Sequence, residues 1–99
     1  MLFISAGFDA HWNDPLTSLG LSTQGYYNIS RKLVDLAEEH CGGKIVFVLE
    51  GGYHPEHVAT GVDACLRALT GEDAAENNDP SPFPEANLHE RISRLRQLH

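Results

Sequence analysis

Two short runs, "MLFISA" at residues 1–6 and "KIVFVL" at residues 44–49, are apolar at nearly every position. Runs this short and continuous suit strands covered on both faces, as in a parallel sheet, rather than strands with one wet face. Between them the pattern changes twice. Residues 7–22 show no regular period. Tyr26, Ile29, Leu33, Leu36 and Ala37 then recur at helical spacing, with Thr23 placed to cap the helix and "CGGK" at residues 41–44 placed to end it.

After the second run, "EGGYHPE" at residues 50–56 turns the chain into another helical pattern. Pro55 suits a first helical position, and Glu56 complements the positive end of the helix dipole. Val58, Val62, Cys65, Leu66 and Leu69 form its apolar side, and Gly71 is its stop. The acidic, proline-containing stretch that follows reads as an exposed connector. Leu88, Ile92, Leu95 and Leu98 then predict a terminal helix, with Arg91, Arg94 and Arg96 on a solvated face toward its negative end. The expected division is residues 1–71 as an α/β unit, 72–85 as connector and 86–99 as terminal helix.

A strand–helix–strand order makes parallel neighbours joined by a right-handed crossover. Two strands buried on both faces cannot be covered by three helices, because parallel sheets need more strands and helices on both sides. The pattern therefore predicts the C-terminal part of a larger α/β domain, or a chain that assembles with another.

Composition narrows the partners. The 99 residues carry a net charge of −7, and their basic residues form no stripe, which argues against direct binding of nucleic acid. No apolar run approaches the ~18–20 residues needed to span a bilayer, and the first residues lack a signal-peptide pattern, so no membrane association is expected. Cys41 and Cys65 form no disulfide framework, and read as free thiols in a reducing, cytoplasmic compartment. Cys65 falls on an apolar helix face, where it acts as a small hydrophobe.

The candidate chemistry follows the strands. In open parallel sheets ligands bind beyond the carboxyl ends of strands. Both irregular loops, "GFDAHWNDPL" at residues 7–16 and "EGGYHPE", leave such ends, so Asp9 and Tyr53 share one edge of the sheet. Asp9 is suited to coordinate a divalent metal, cap a turn or pair with an arginine. His11 strengthens the metal reading, since zinc takes both residue types, but a polar histidine in an exposed loop explains it as well. Asp14 with Pro15 reads as a turn initiator.

Gly51 and Gly52 allow close backbone approach, although no phosphate-binding glycine pattern accompanies them. The Tyr53 hydroxyl is suited either to donate to a developing oxyanion or to pack beneath its loop. His54 and His57, at the helix start, read as a cap and a surface residue.

Taken jointly, "SAGFDAHWNDPL" and "VLEGGY" some forty residues later resemble the zinc-dependent histone deacetylase and acetylpolyamine amidohydrolase family, particularly its bacterial and class II-like members. The resemblance covers residues 2–71. It implies the C-terminal part of a three-layer arginase–deacetylase-type α/β domain, ordered strand, loop, helix, strand, helix and terminal helix. It implies Asp9 as a ligand of the catalytic zinc and Tyr53 as the tyrosine that hydrogen-bonds the substrate carbonyl and its oxyanion. Leu16 matches a residue lining the acyl-lysine channel, and Gly51 and Gly52 match glycines at its inner end.

The implied reaction is hydrolysis of acetyl-lysine or acetylpolyamine amides. Apart from Asp9-Ala10-His11 itself, the sequence holds no Asp-x-His motif for the family's other two ligands, and it holds no His-His pair. One zinc ligand is too few, so the resemblance implies a fragment that is inactive alone. The rival expectation is a non-catalytic remnant that binds or self-associates through an exposed sheet edge.

Overall fold

The computed structural model describes residues 1–17, 19–76, 80–82 and 88–98. Its elements run β1 (Leu2–Ala6), α1 (Thr23–His40), β2 (Ile45–Leu49), α2 (Pro55–Thr70) and α3 (Leu88–Leu98). β1 and β2 pair in parallel, in register from Leu2 opposite Ile45 to Ala6 opposite Leu49. This is the α/β arrangement expected from the apolar runs. The expected connector falls partly on residues 77–79 and 83–85, which lie outside the described residues. So do 86, 87 and 99 at the ends of the expected terminal helix.

The helix ends show local causes. Ser22, rather than Thr23, caps α1; its side chain accepts a hydrogen bond from the Gly25 N–H at 3.1 Å. Its C-terminal cap is Cys41, and Gly42 and Gly43 follow at φ of 60° and 77°. There the Gly43 N–H reaches back to the Ala37 carbonyl at 3.0 Å. Pro55 opens α2 as expected, and Gly71 closes it in the left-handed conformation at φ 76°. His54 occupies the α2 cap position without a side-chain cap bond.

α1 and α2 pack on each other. Ser30 Oγ meets Cys65 Sγ at 3.4 Å, Arg31 donates to the Ala68 carbonyl at 2.7 Å, and the Tyr27 hydroxyl donates to the Glu72 carbonyl at 2.7 Å. The core cluster is Phe8, Tyr26, Ala64 and Cys65, against which Ala6, Ala10, Leu21, Phe47, Val58 and Val62 pack. Phe8 lies in the loop after β1, so the core anchors that loop from inside. Its ring centroid is 5.0 Å from that of Tyr26. Gly61 on α2 makes room for it, since a Cβ there would meet Phe8 Cε1 at 2.6 Å.

The strands differ from expectation on one face. Leu2, Ile4, Ala6, Ile45 and Phe47 are half-buried, whereas Phe3, Val46 and Val48 on the opposite face are exposed, Phe3 by 66%. Both faces are apolar in sequence, yet α1 and α2 lie against only one. α3 has no buried residue, and Leu88, Ile92, Leu95 and Leu98 are all exposed. Among the described residues no helix is long and apolar enough to cross a membrane.

Candidate functional site at the carboxyl ends of the strands

The parallel pairing carries both irregular loops to the same sheet edge, where backbone hydrogen bonds continue past the strands. The Glu50 N–H donates to the Ala6 carbonyl at 3.0 Å, and the Phe8 N–H to the Gly51 carbonyl at 2.8 Å. Loop 7–16 then folds back on the chain ahead of α1. The Leu21 N–H donates to the Ala10 carbonyl and the Trp12 N–H to the Leu21 carbonyl, each at 2.8 Å. Thr17 Oγ1 donates to the Asp9 carbonyl.

Asp9 is half-buried, and its carboxylate lies directly over the glycine turn. A Cβ on Gly51 would stand 3.2 Å from Cγ and from both oxygens of Asp9. A Cβ on Gly7 would stand 2.9 Å from Oδ1. The glycines thus admit the carboxylate to a place no larger residue would leave open. Gly52 adopts φ 135°, which disfavours any side chain there. Tyr53 is 54% exposed and Leu16 68%, so both side chains reach solvent at this edge.

Asp14 joins the two loops. Its Oδ1 accepts the Leu16 N–H at 2.8 Å and its Oδ2 accepts the Tyr53 N–H at 3.0 Å. Burial pushes the Asp14 carboxyl up. The N–H groups of Leu16, Tyr53 and Thr17, with His54 nearby, outweigh burial and hold it below its ordinary value. Asp14 does initiate a turn, as expected, and it also ties that turn to Tyr53.

His11 departs from the expected exposed loop histidine: it is fully buried, at 0% exposure. Its ring stacks on His57 with centroids 3.8 Å apart, and its Nδ1 accepts the Asn13 N–H at 3.1 Å. Asn13 Nδ2 in turn donates to His57 Nε2 at 3.1 Å. His57 also contacts the ring of His54, 4.2 Å away between centroids. These histidines lock the first loop onto the start of α2. Among the described residues no group of three or more His, Cys, Asp or Glu is placed to hold a metal ion. Asp9 brings one carboxylate to this edge, and the described residues do not by themselves form a zinc site.

A separate cleft of about 210 Å³ lies between the beginnings of α1 and α2, lined by residues including Tyr27, Glu56, His57 and Asp63. None of Asp9, Leu16, Gly51, Gly52 or Tyr53 lines it. The candidate site is the open sheet edge, not this cleft.

The family profile described as the histone deacetylase domain matches residues 1–69. The chain belongs to the histone deacetylase family. It is 39% identical, over all its length, to "Histone deacetylase 14, chloroplastic" of Arabidopsis thaliana, and covers 25% of that protein. It is 40% identical over 96% of its length to a "Probable deacetylase" of Archaeoglobus fulgidus, covering 27% of it. The chain therefore spans about a quarter of the length of the curated relatives it matches.

Among solved structures, the HDA15 HD domain superposes with a TM-score of 0.63 at 37% identity, over 76% of this chain and 20% of that one. The histone deacetylase Clr3 superposes with a TM-score of 0.72 at 24% identity, over 96% of this chain and 15% of that one, which bears on the fold alone. The expected α/β fold and family stand together on these matches.

Proposed function

We propose that this deacetylase-family chain supplies one wall of the catalytic site of a zinc-dependent deacetylase, hydrolysing acetyl-lysine or acetylpolyamine amides. The observation that carries the proposal is the seating of the Asp9 carboxylate on Gly51, two residues before an exposed Tyr53. Asp9 is one donor in a ligand set completed by residues outside this segment. The Tyr53 hydroxyl donates to the substrate carbonyl oxygen and holds it more tightly as negative charge develops. Leu16 lines the acyl-lysine channel, and Gly51 and Gly52 shape its inner end. Residues 1–71 form the α/β part, 72–85 the connector and 86–99 the terminal helix, in a cytoplasmic protein with no nucleic-acid or membrane partner. With one ligand and no His-His pair, the chain alone is inactive.

The test joins this segment to the part of the Archaeoglobus relative that it does not match and measures zinc content and acetyl-lysine hydrolysis. The joined protein binds zinc and turns over. Asp9→Ala removes both, and Tyr53→Phe lowers kcat by about 10²–10³ while zinc stays bound. Activity indifferent to both changes ends this reading. The exposed Phe3, Val46 and Val48 favour a second reading, a non-catalytic module that self-associates through the sheet. Sedimentation of the 99-residue chain separates the two, because that reading requires a defined oligomer rather than a monomer or a polydisperse aggregate.

A further inference from the structure

Resting on the reading of Tyr53 as the oxyanion donor, we propose that Asp14 is its positioning residue, a carboxylate clamp that sets the tyrosine and the channel residue Leu16 together. Two features of the turn make such a clamp necessary. Tyr53 follows two glycines, the second at φ 135°, so the backbone leading to it has more conformational freedom than any other pair of residues would give. Its side chain is largely exposed, so packing does not fix it either. Its N–H bond to Asp14 is therefore the restraint that holds this residue against the opposing loop.

Asp14 is built for the task. It is only 6% exposed, and its own N–H donates to the His11 carbonyl at 3.0 Å, beneath which the His11 ring is wholly buried. Pro15 confines the preceding backbone to extended geometry, which limits how Asp14 can turn. An ionised carboxylate accepts at both oxygens, one toward each loop, and such charge-assisted bonds are stronger than neutral ones. An asparagine cannot substitute, because its amide nitrogen would face one N–H with another donor. Two parts of the site, 37 residues apart in sequence, are thereby set by a single side chain.

Amide hydrogen exchange read by NMR tests the clamp in the chain itself. In the unaltered chain the Tyr53 amide exchanges at least about tenfold more slowly than an unprotected peptide, despite its exposed side chain. Asp14→Asn removes that protection at Tyr53 while leaving the Phe8 amide, bonded to Gly51, protected. Kinetics of the joined domain test the consequence. Asp14→Asn lowers kcat by about 10- to 100-fold with little change in KM, the scale expected when a catalytic group is slightly misplaced.

In a Tyr53→Phe background the same change costs little more, because its effect runs through the missing hydroxyl. An unprotected Tyr53 amide in the unaltered chain overturns the clamp, as does equal loss of kcat in both backgrounds. Should Tyr53→Phe leave turnover intact, the catalytic reading of Tyr53 and the catalytic consequence drawn from it both fall. The exchange data still decide whether the clamp itself exists.

Discussion

The two ends of β1 and β2 and their two faces have opposite characters. At the carboxyl ends, loops 7–16 and 50–54 are tied to each other and to the core: Phe8 is buried between the helices, Asp14 bridges the loops, and His11 stacks on His57. Across the far face of the same strands, Phe3, Val46 and Val48 touch no such network and remain exposed. The segment specifies this edge by its own contacts, whereas among the described residues its sheet is covered on one side only. Local geometry of a site and stability of the sheet beneath it are thus separable properties of this chain.

The largest effect belongs to Phe8, the residue through which the core holds the first loop. Phe8→Ala removes a ring packed on Tyr26 and leaves a cavity over Gly61, at a cost of about 3–5 kcal/mol. For a domain this small that is a large share of total stability. The chain is expected to lose its cooperative urea transition, followed by circular dichroism. A transition shifted only slightly would mean that the edge is held by the loop bonds rather than from the core.

A smaller effect comes from acid. The Asp14 carboxyl is held below its ordinary 3.8 in the folded chain, so the folded state prefers it ionised. Its contribution to stability is then fully present above the unfolded value, and is lost as pH falls through the lowered folded value. Unfolding free energy measured from pH 5 downward declines less steeply in Asp14→Asn than in the unaltered chain. An identical decline would show that Asp14 is not coupled to folding.

Much of this was legible in the sequence, and what was not has a common cause. The two apolar runs announced the strands, and Pro55 and Gly71 marked the limits of α2. The strand-end rule places Asp9 and Tyr53 at one edge. The burial of His11 was hidden because its stacking partner, His57, lies on the next loop–helix unit, and a lone polar letter carries no sign of it. The second role of Asp14 was hidden for the same reason: its bond to Leu16 is local, while that to Tyr53 spans 39 residues. The uncovered sheet face was a different case. A continuous apolar run predicts what a strand's faces are suited to meet, not whether the partner belongs to the same segment.

The smallest expected effect makes the comparison sharpest. Val48 is 45% exposed on the open face, one residue from the end of β2. In the 99-residue chain Val48→Lys changes stability by no more than about 0.5 kcal/mol, as for other exposed sites, and it breaks up an apolar surface prone to association. Joined to the upstream part of a deacetylase domain, the same lysine would be forced under a second layer, where an unpaired buried charge costs several kcal/mol. A change that is harmless or solubilising in the chain alone and severe in the joined protein identifies that face as an internal surface of the larger domain. Equal, small effects in both settings would instead leave the face exposed there too, and would remove the main structural reason for regarding the second layer as missing.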